Sequence, residues 1–238
     1  MTAPRRHPVL KFLAGLLLLP LAAALTLTCA EALRILAQAP ARLPFLHVSA
    51  AVAGAALWLL AWFLLPPFTK TYVLGHELTH ALWTLFFGGR PSHLRIGEGG
   101  GSVRVSKTNV WVTLAPYFFP FYTVLVLLLW FLLLLLFPAA VRPWAPLALF
   151  LVGLTWCFHL TFTLRFLGVR QPDVVEHGRL FSYALIYTLN LLALTAAFVA
   201  AGTWTFPEAA RDYLSHLRAF AHAAYVFNEW LLTRLPPL

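Results

Sequence analysis

The chain has 238 residues, 61% of them apolar and 11% charged, with a formal charge of +9 from 17 basic and 8 acidic side chains. A soluble domain carries roughly 45–50% apolar and about 25% charged residues, so an ordinary water-soluble domain is excluded and part of the solvent must be lipid. The basic residues are scattered through short segments instead of forming a stripe, which argues against nucleic acid and for lipid head groups as the partner. Cys29 and Cys157 offer neither a disulfide framework nor a CxxC metal pair, and Cys157 reads as a packed core residue.

In chain order, Arg5, Arg6 and Lys11 precede an apolar run from about Phe12 to Thr28. That run is longer than a signal-peptide core, so an uncleaved transmembrane helix is predicted in preference to a cleaved signal. A bilayer core of about 30 Å takes roughly 20 helical residues. Six segments meet that length, near 11–30, 47–66, 68–88, 113–137, 144–167 and 181–202. Between the third and fourth, Leu94/Ile96 and Val103/Val105 alternate with polar residues around the glycine-rich stretch Glu98–Gly101, which predicts a β-hairpin. After Pro207, residues 208–234 mix aromatic and aliphatic side chains with Arg211, Asp212, Arg218, Glu229 and Arg234. An amphipathic helix on the membrane surface is expected there. The predicted fold is an all-α polytopic membrane protein of about six transmembrane helices. It carries a small β-hairpin and a C-terminal amphipathic helix in one domain over 1–238, with its core at about 68–202 and the surface helix at about 207–234. Nine basic residues fall on one side of such a six-span chain and eight on the other, so the positive-inside rule leaves orientation open.

The chemistry sits in the third segment, which contains His76-Glu77-Leu78-Thr79-His80. Residues i and i+4 share one helix face, so His76 and His80 can offer two imidazole nitrogens to one Zn²⁺. Glu77 lies beside the pair, where it can act as general base toward a zinc-activated water. Chance would produce this pattern about 0.01 times in a chain of this composition, and ionisable groups in an apolar helix are costly and usually functional.

A catalytic zinc wants three protein ligands and an open position. The third is sought in Gln171-Pro172-Asp173-Val174-Val175-Glu176-His177. Asp173 is the leading candidate, set against a helix-capping role. Glu176 and His177 are rival ligands, and either, His177 lying one turn from Asp173, could instead support a ligand by hydrogen bonding. Topology puts the end of the third helix and the start of the sixth on one side. Depth requires segment 168–180 to dip into the membrane layer, because His80 lies about 12 Å inside its helix end. Among other polar residues, His159 is read as hydrogen-bonded within the bundle and His93 as solvated. His216 and His222 read as tail residues without metal spacing, Arg165 as snorkelling, and Asn190 as bonding across helices.

Together these residues resemble the site-2 protease class of intramembrane zinc metalloproteases, the M50 peptidase family, and its M50B-like branch in particular. The resemblance covers about residues 70–185. It rests on HExxH, on Gly88-Gly89-Arg90, on the glycine-rich hairpin and on Leu114-Ala115-Pro116-Tyr117-Phe118. Pro172-Asp173-Val174 stands where the resemblance has Leu-Asp-Gly. The resemblance implies a Zn²⁺ endopeptidase that cleaves transmembrane or membrane-proximal segments of membrane proteins. It further implies a bacterial cytoplasmic membrane as the setting and a β-edge that holds the unwound substrate. Two other functions fit the same residues. One is a membrane scaffold or metal-binding adaptor without turnover, and the other is a gluzincin-type membrane protease with Glu176 as ligand.

Overall fold

The computed structural model describes residues 8–38, 45–97 and 100–234. The elements are α1 (Pro8–Gln38), α2 (Phe45–Leu64), α3 (Thr69–Phe86), β1 (Pro91–Gly97), β2 (Gly100–Val105), α4 (Val110–Phe118) and α5 (Phe121–Leu136). Then follow α6 (Pro138–Val141), a 3₁₀ turn at Arg142–Trp144, α7 (Ala145–Leu167), α8 (Pro172–His177), α9 (Arg179–Ala200) and α10 (Phe206–Arg234). The basic N-terminus with Arg5 and Arg6, and the hairpin tip at 98–99, lie outside the described residues.

Four helical stretches are long and apolar enough to cross a membrane: Pro8–Gln38, Leu46–Leu64, Pro138–Leu167 and Arg179–Ala200. The expected fourth span, 113–137, is a broken pair instead, α4 and α5 meeting at 79°. The cause is local. Phe119 precedes Pro120 and is held extended at φ −101° and ψ 102°, because the proline ring disfavours helical backbone in the residue before it. The expected third span, α3, is not among the four. Its 18 residues include Lys70, His76, Glu77, His80 and four threonines, so the candidate site itself lowers the apolarity.

The described residues cluster into two compact units, one over 45–177 and the other over 8–38 and 178–234. In the first, α2 and α7 pack through glycines. A Cβ on Gly54 would run into the Phe150 carbonyl, and one on Gly153 into the Ala51 carbonyl. Such small residues allow the backbone approach that drives helix pairing in lipid. Trp58, Tyr72, Phe158 and Phe162 form an aromatic core that ties α3 to this pair. Tyr72 stacks on Phe162 and Phe166, each at 4.8 Å between ring centroids.

α3 ends in a Schellman motif: Gly88 takes φ +68°, Gly89 N–H donates to the Thr84 carbonyl at 2.8 Å, and Gly88 N–H to Leu85 at 2.9 Å. The chain then enters the antiparallel pair β1–β2, in register Pro91↔Val105, Arg95↔Ser102 and Gly97↔Gly100, with an irregularity between Ser92 and Arg95. Leu94 and Ile96 remain exposed, whereas Val103 and Val105 of β2 are half-buried. β2 lies against α3 at Gly101, where a Cβ would come within 2.6 Å of Val73 Cγ1 and 2.7 Å of Glu77 Cγ. Only a residue without a side chain permits that approach. The Asn109 side chain caps α4, accepting from Val112 N–H at 2.9 Å.

In the second unit α1 packs on α9, with Gly15 against the Phe181 backbone and Cys29 Sγ 3.3 Å from Thr195 Oγ1. α10 starts with Thr205 N–H donating to the Glu208 carboxylate at 2.8 Å, the return half of a capping box. Asn190 Nδ2 donates to the Ile186 carbonyl at 2.9 Å, a bond within its own helix.

Candidate metal centre

α3 carries His76 and His80 one turn apart, with ring centroids 4.9 Å from each other. α8, the short helix after α7, brings Asp173 to them. Asp173 Oδ2 lies 3.6 Å from His76 Nε2 and 3.6 Å from His80 Nε2. The three ligand atoms all fall within 4.8 Å of one another, which makes these residues a group that could hold a metal ion.

The spacing suits that role better than hydrogen bonding. N–H···O bonds run at about 2.7–3.2 Å. Two ligand atoms about 2.1 Å from one ion at a tetrahedral angle stand roughly 3.4 Å apart. Two nitrogens and one carboxylate oxygen are also a donor set that suits zinc, leaving a fourth position open.

α4 braces two of the three side chains. His80 Nδ1–H donates to the Val112 carbonyl at 2.8 Å, which turns Nε2 toward Asp173. The Tyr117 hydroxyl donates to Asp173 Oδ2 at 3.0 Å, leaving that oxygen a further lone pair. Burial disfavours a charged Asp173, but the two facing imidazoles outweigh it and hold the carboxyl well below the usual carboxylate range.

Glu77 is buried beside the histidines and accepts a hydrogen bond from Val103 N–H of β2. It opens, with His76, His80 and Asp173, onto a cleft of about 510 Å³ that β2 also lines from Gly100 to Val103. β2 pairs with β1 on one edge only, in a two-stranded sheet.

Glu176 and His177 do not join the three-residue group; His177 Nε2 lies 4.0 Å from Glu176 Oε1. His159, on α7, hydrogen-bonds the Tyr117 backbone instead of joining the cluster. His93 is exposed, and His216 Nε2 pairs with Asp212 at 3.4 Å in the other unit.

Sequence reasoning missed the supporting residues Val112, Tyr117, Val103 and Gly101. A signal existed for Tyr117, because a phenol in a nearly all-apolar helix must find a hydrogen-bond partner when buried. For the backbone groups of Val112 and Val103 there was none.

Fold and site thus define a helical protein with membrane-length helices and a candidate three-ligand metal centre beside a β-edge. Comparison of the chain with protein-family models, with curated proteins and with solved structures returned no match.

Proposed function

We propose that the chain is an intramembrane zinc metalloendopeptidase acting on membrane-protein segments. The observation that carries this reading is the convergence of His76 Nε2 and His80 Nε2 on one Asp173 oxygen, at 3.6 Å each, with Glu77 opening onto the same cleft. A scaffold has no need of a buried acid beside such a group; a hydrolase does.

His76, His80 and Asp173 would hold the zinc. Zinc, when bound, lowers the pKa of water toward about 7 and polarises a carbonyl. Glu77 then takes the proton from the attacking water and delivers it to the amide nitrogen as the peptide bond breaks. The Val103 N–H keeps the Glu77 carboxylate oriented between these two transfers. The outer edge of β2 offers main-chain groups to an extended substrate, adding it as a third strand. That matters because a helical backbone, bonded to itself, hides its peptide carbonyls from attack.

In this reading α3 and the bent α4–α5 pair also lie at membrane depth, giving six crossings. α8 re-enters the layer as the protein-walled lining of a wet cleft, a setting in which irregular backbone is tolerated. α10 lies on the lipid surface, its Trp230, Phe227 and Leu231 exposed.

The test is metal analysis and proteolysis with purified protein. Wild type should carry about one zinc per chain and cleave a reconstituted single-span substrate. Glu77→Gln should keep the metal and lose cleavage by at least ~100-fold, as for a general base. A folded wild type without zinc, or a Glu77→Gln protein with full cleavage, would sink the proposal.

A further inference from the structure

His76 and His159 line one small cavity of about 10 Å³, walled by Tyr72, Phe119, Tyr122 and Phe158. His159 is only 6% exposed, and it hydrogen-bonds the Tyr117 carbonyl. A carbonyl only accepts, so the nitrogen in that bond carries the proton. The other nitrogen, Nε2, is then a bare lone pair, and it is buried with no hydrogen-bond partner among the described residues.

His76 has the opposite need. Its Nε2 is directed at Asp173, so in a metal-binding ring the proton sits on Nδ1. Nδ1 is likewise buried with no hydrogen-bond partner among the described residues. His76 and His159 both line this cavity, the one with a ring nitrogen that lacks an acceptor and the other with a ring nitrogen that lacks a donor. Its size matches a single water, which needs roughly 10–15 Å³ and at least two polar partners.

We propose that His159 is a positioning residue for the metal centre, accepting from one buried water that in turn accepts from His76 Nδ1–H. This rests on reading His76, His80 and Asp173 as metal ligands. The bridge does for His76 what the Val112 carbonyl does directly for His80: it fixes the tautomer and keeps Nε2 turned inward. Both supports come back to α4, since His159 is itself anchored on the Tyr117 carbonyl.

The test uses the full chain purified in detergent. Zinc affinity is measured by chelator competition, and the ligand field by the visible absorption of the Co²⁺ form. His159→Leu, which cannot accept, should weaken zinc binding by about 10–100-fold and shift the cobalt bands. His159→Gln, which keeps an amide oxygen, should restore both toward wild type. Histidine ¹⁵N shifts of the zinc-loaded wild type should show a neutral His159 with bare Nε2 and His76 protonated on Nδ1. That measurement decides the matter even if a variant does not fold. Wild-type zinc affinity and cobalt bands in His159→Leu, or a proton on His159 Nε2, would overturn the role of His159 while leaving the metal centre standing. A folded wild type that binds neither zinc nor cobalt overturns the metal centre, and this proposal with it.

Discussion

The Tyr117 hydroxyl donates to Asp173 Oδ2 at 3.0 Å, so a fully buried side chain of α4 orients the carboxylate that faces both imidazoles of α3. Tyr117→Phe removes that hydroxyl and keeps the ring. Hydrogen bonds to charged groups contribute about 1.5–3 kcal/mol, and supports of this kind commonly account for 10-fold or more in metal affinity. Zinc binding measured by chelator competition should weaken about 10-fold with helix content unchanged. Wild-type affinity in this variant would mean that Asp173 is held by something else.

Gly101 brings β2 against α3, and a side chain there would collide with Val73 Cγ1 and Glu77 Cγ at under 3 Å. Gly101→Val should therefore move the strand off the cleft wall without touching His76, His80 or Asp173. The expected outcome is normal zinc content and cleavage reduced by more than ~10-fold, because substrate alignment and the Val103 bond to Glu77 are lost together. Loss of zinc along with activity would show that the strand supports the ligands themselves.

Acidification should separate the two ligand types. The carboxyl of Asp173 titrates below its ordinary range in the folded protein, so its contribution to stability is present above the unfolded pKa of about 3.9 and fades only below it. Between about pH 7 and pH 5 Asp173 stays charged, and zinc release over that interval would report protonation of the imidazoles. Metal content followed against pH should have its midpoint in that interval. A midpoint below pH 4 would assign release to the carboxylate instead.

The α2–α7 pair offers a control that lies away from the candidate ligands. A side chain at Gly153 would strike the Ala51 carbonyl, and one at Gly54 the Phe150 carbonyl. Gly153→Val should lower thermal stability, since overpacking costs about 1–3 kcal/mol, while zinc bound per folded chain stays constant. An unchanged melting temperature in detergent would argue that this contact is slack.

Much of the architecture was legible because it is local or compositional. Apolar runs of helical length foretold α1, α2, α7 and α9, and alternation around glycine foretold β1 and β2. The break between α4 and α5 was missed although Pro120 was in view. The apolar run from 113 to 137 outweighed the backbone rule that a residue before proline leaves the helix. α3 falls outside the four most apolar stretches for a different reason, since His76, Glu77 and His80 of the candidate site are among its polar residues.

By itself the sequence determined that His76 and His80 share a face with Glu77 beside them, because helical periodicity is a property of consecutive residues. Only the tertiary structure decided which acid meets them. Asp173 and Glu176 both lie on α8, three residues apart, and nothing local chooses between them. The choice falls to Asp173 through the Tyr117 hydroxyl, 56 positions earlier in the chain, and through a fold that sets α4 against both α3 and α8. Contacts so distant along the chain leave no local pattern in it, and for that reason the meeting of Asp173 with His76 and His80 is visible only in three dimensions.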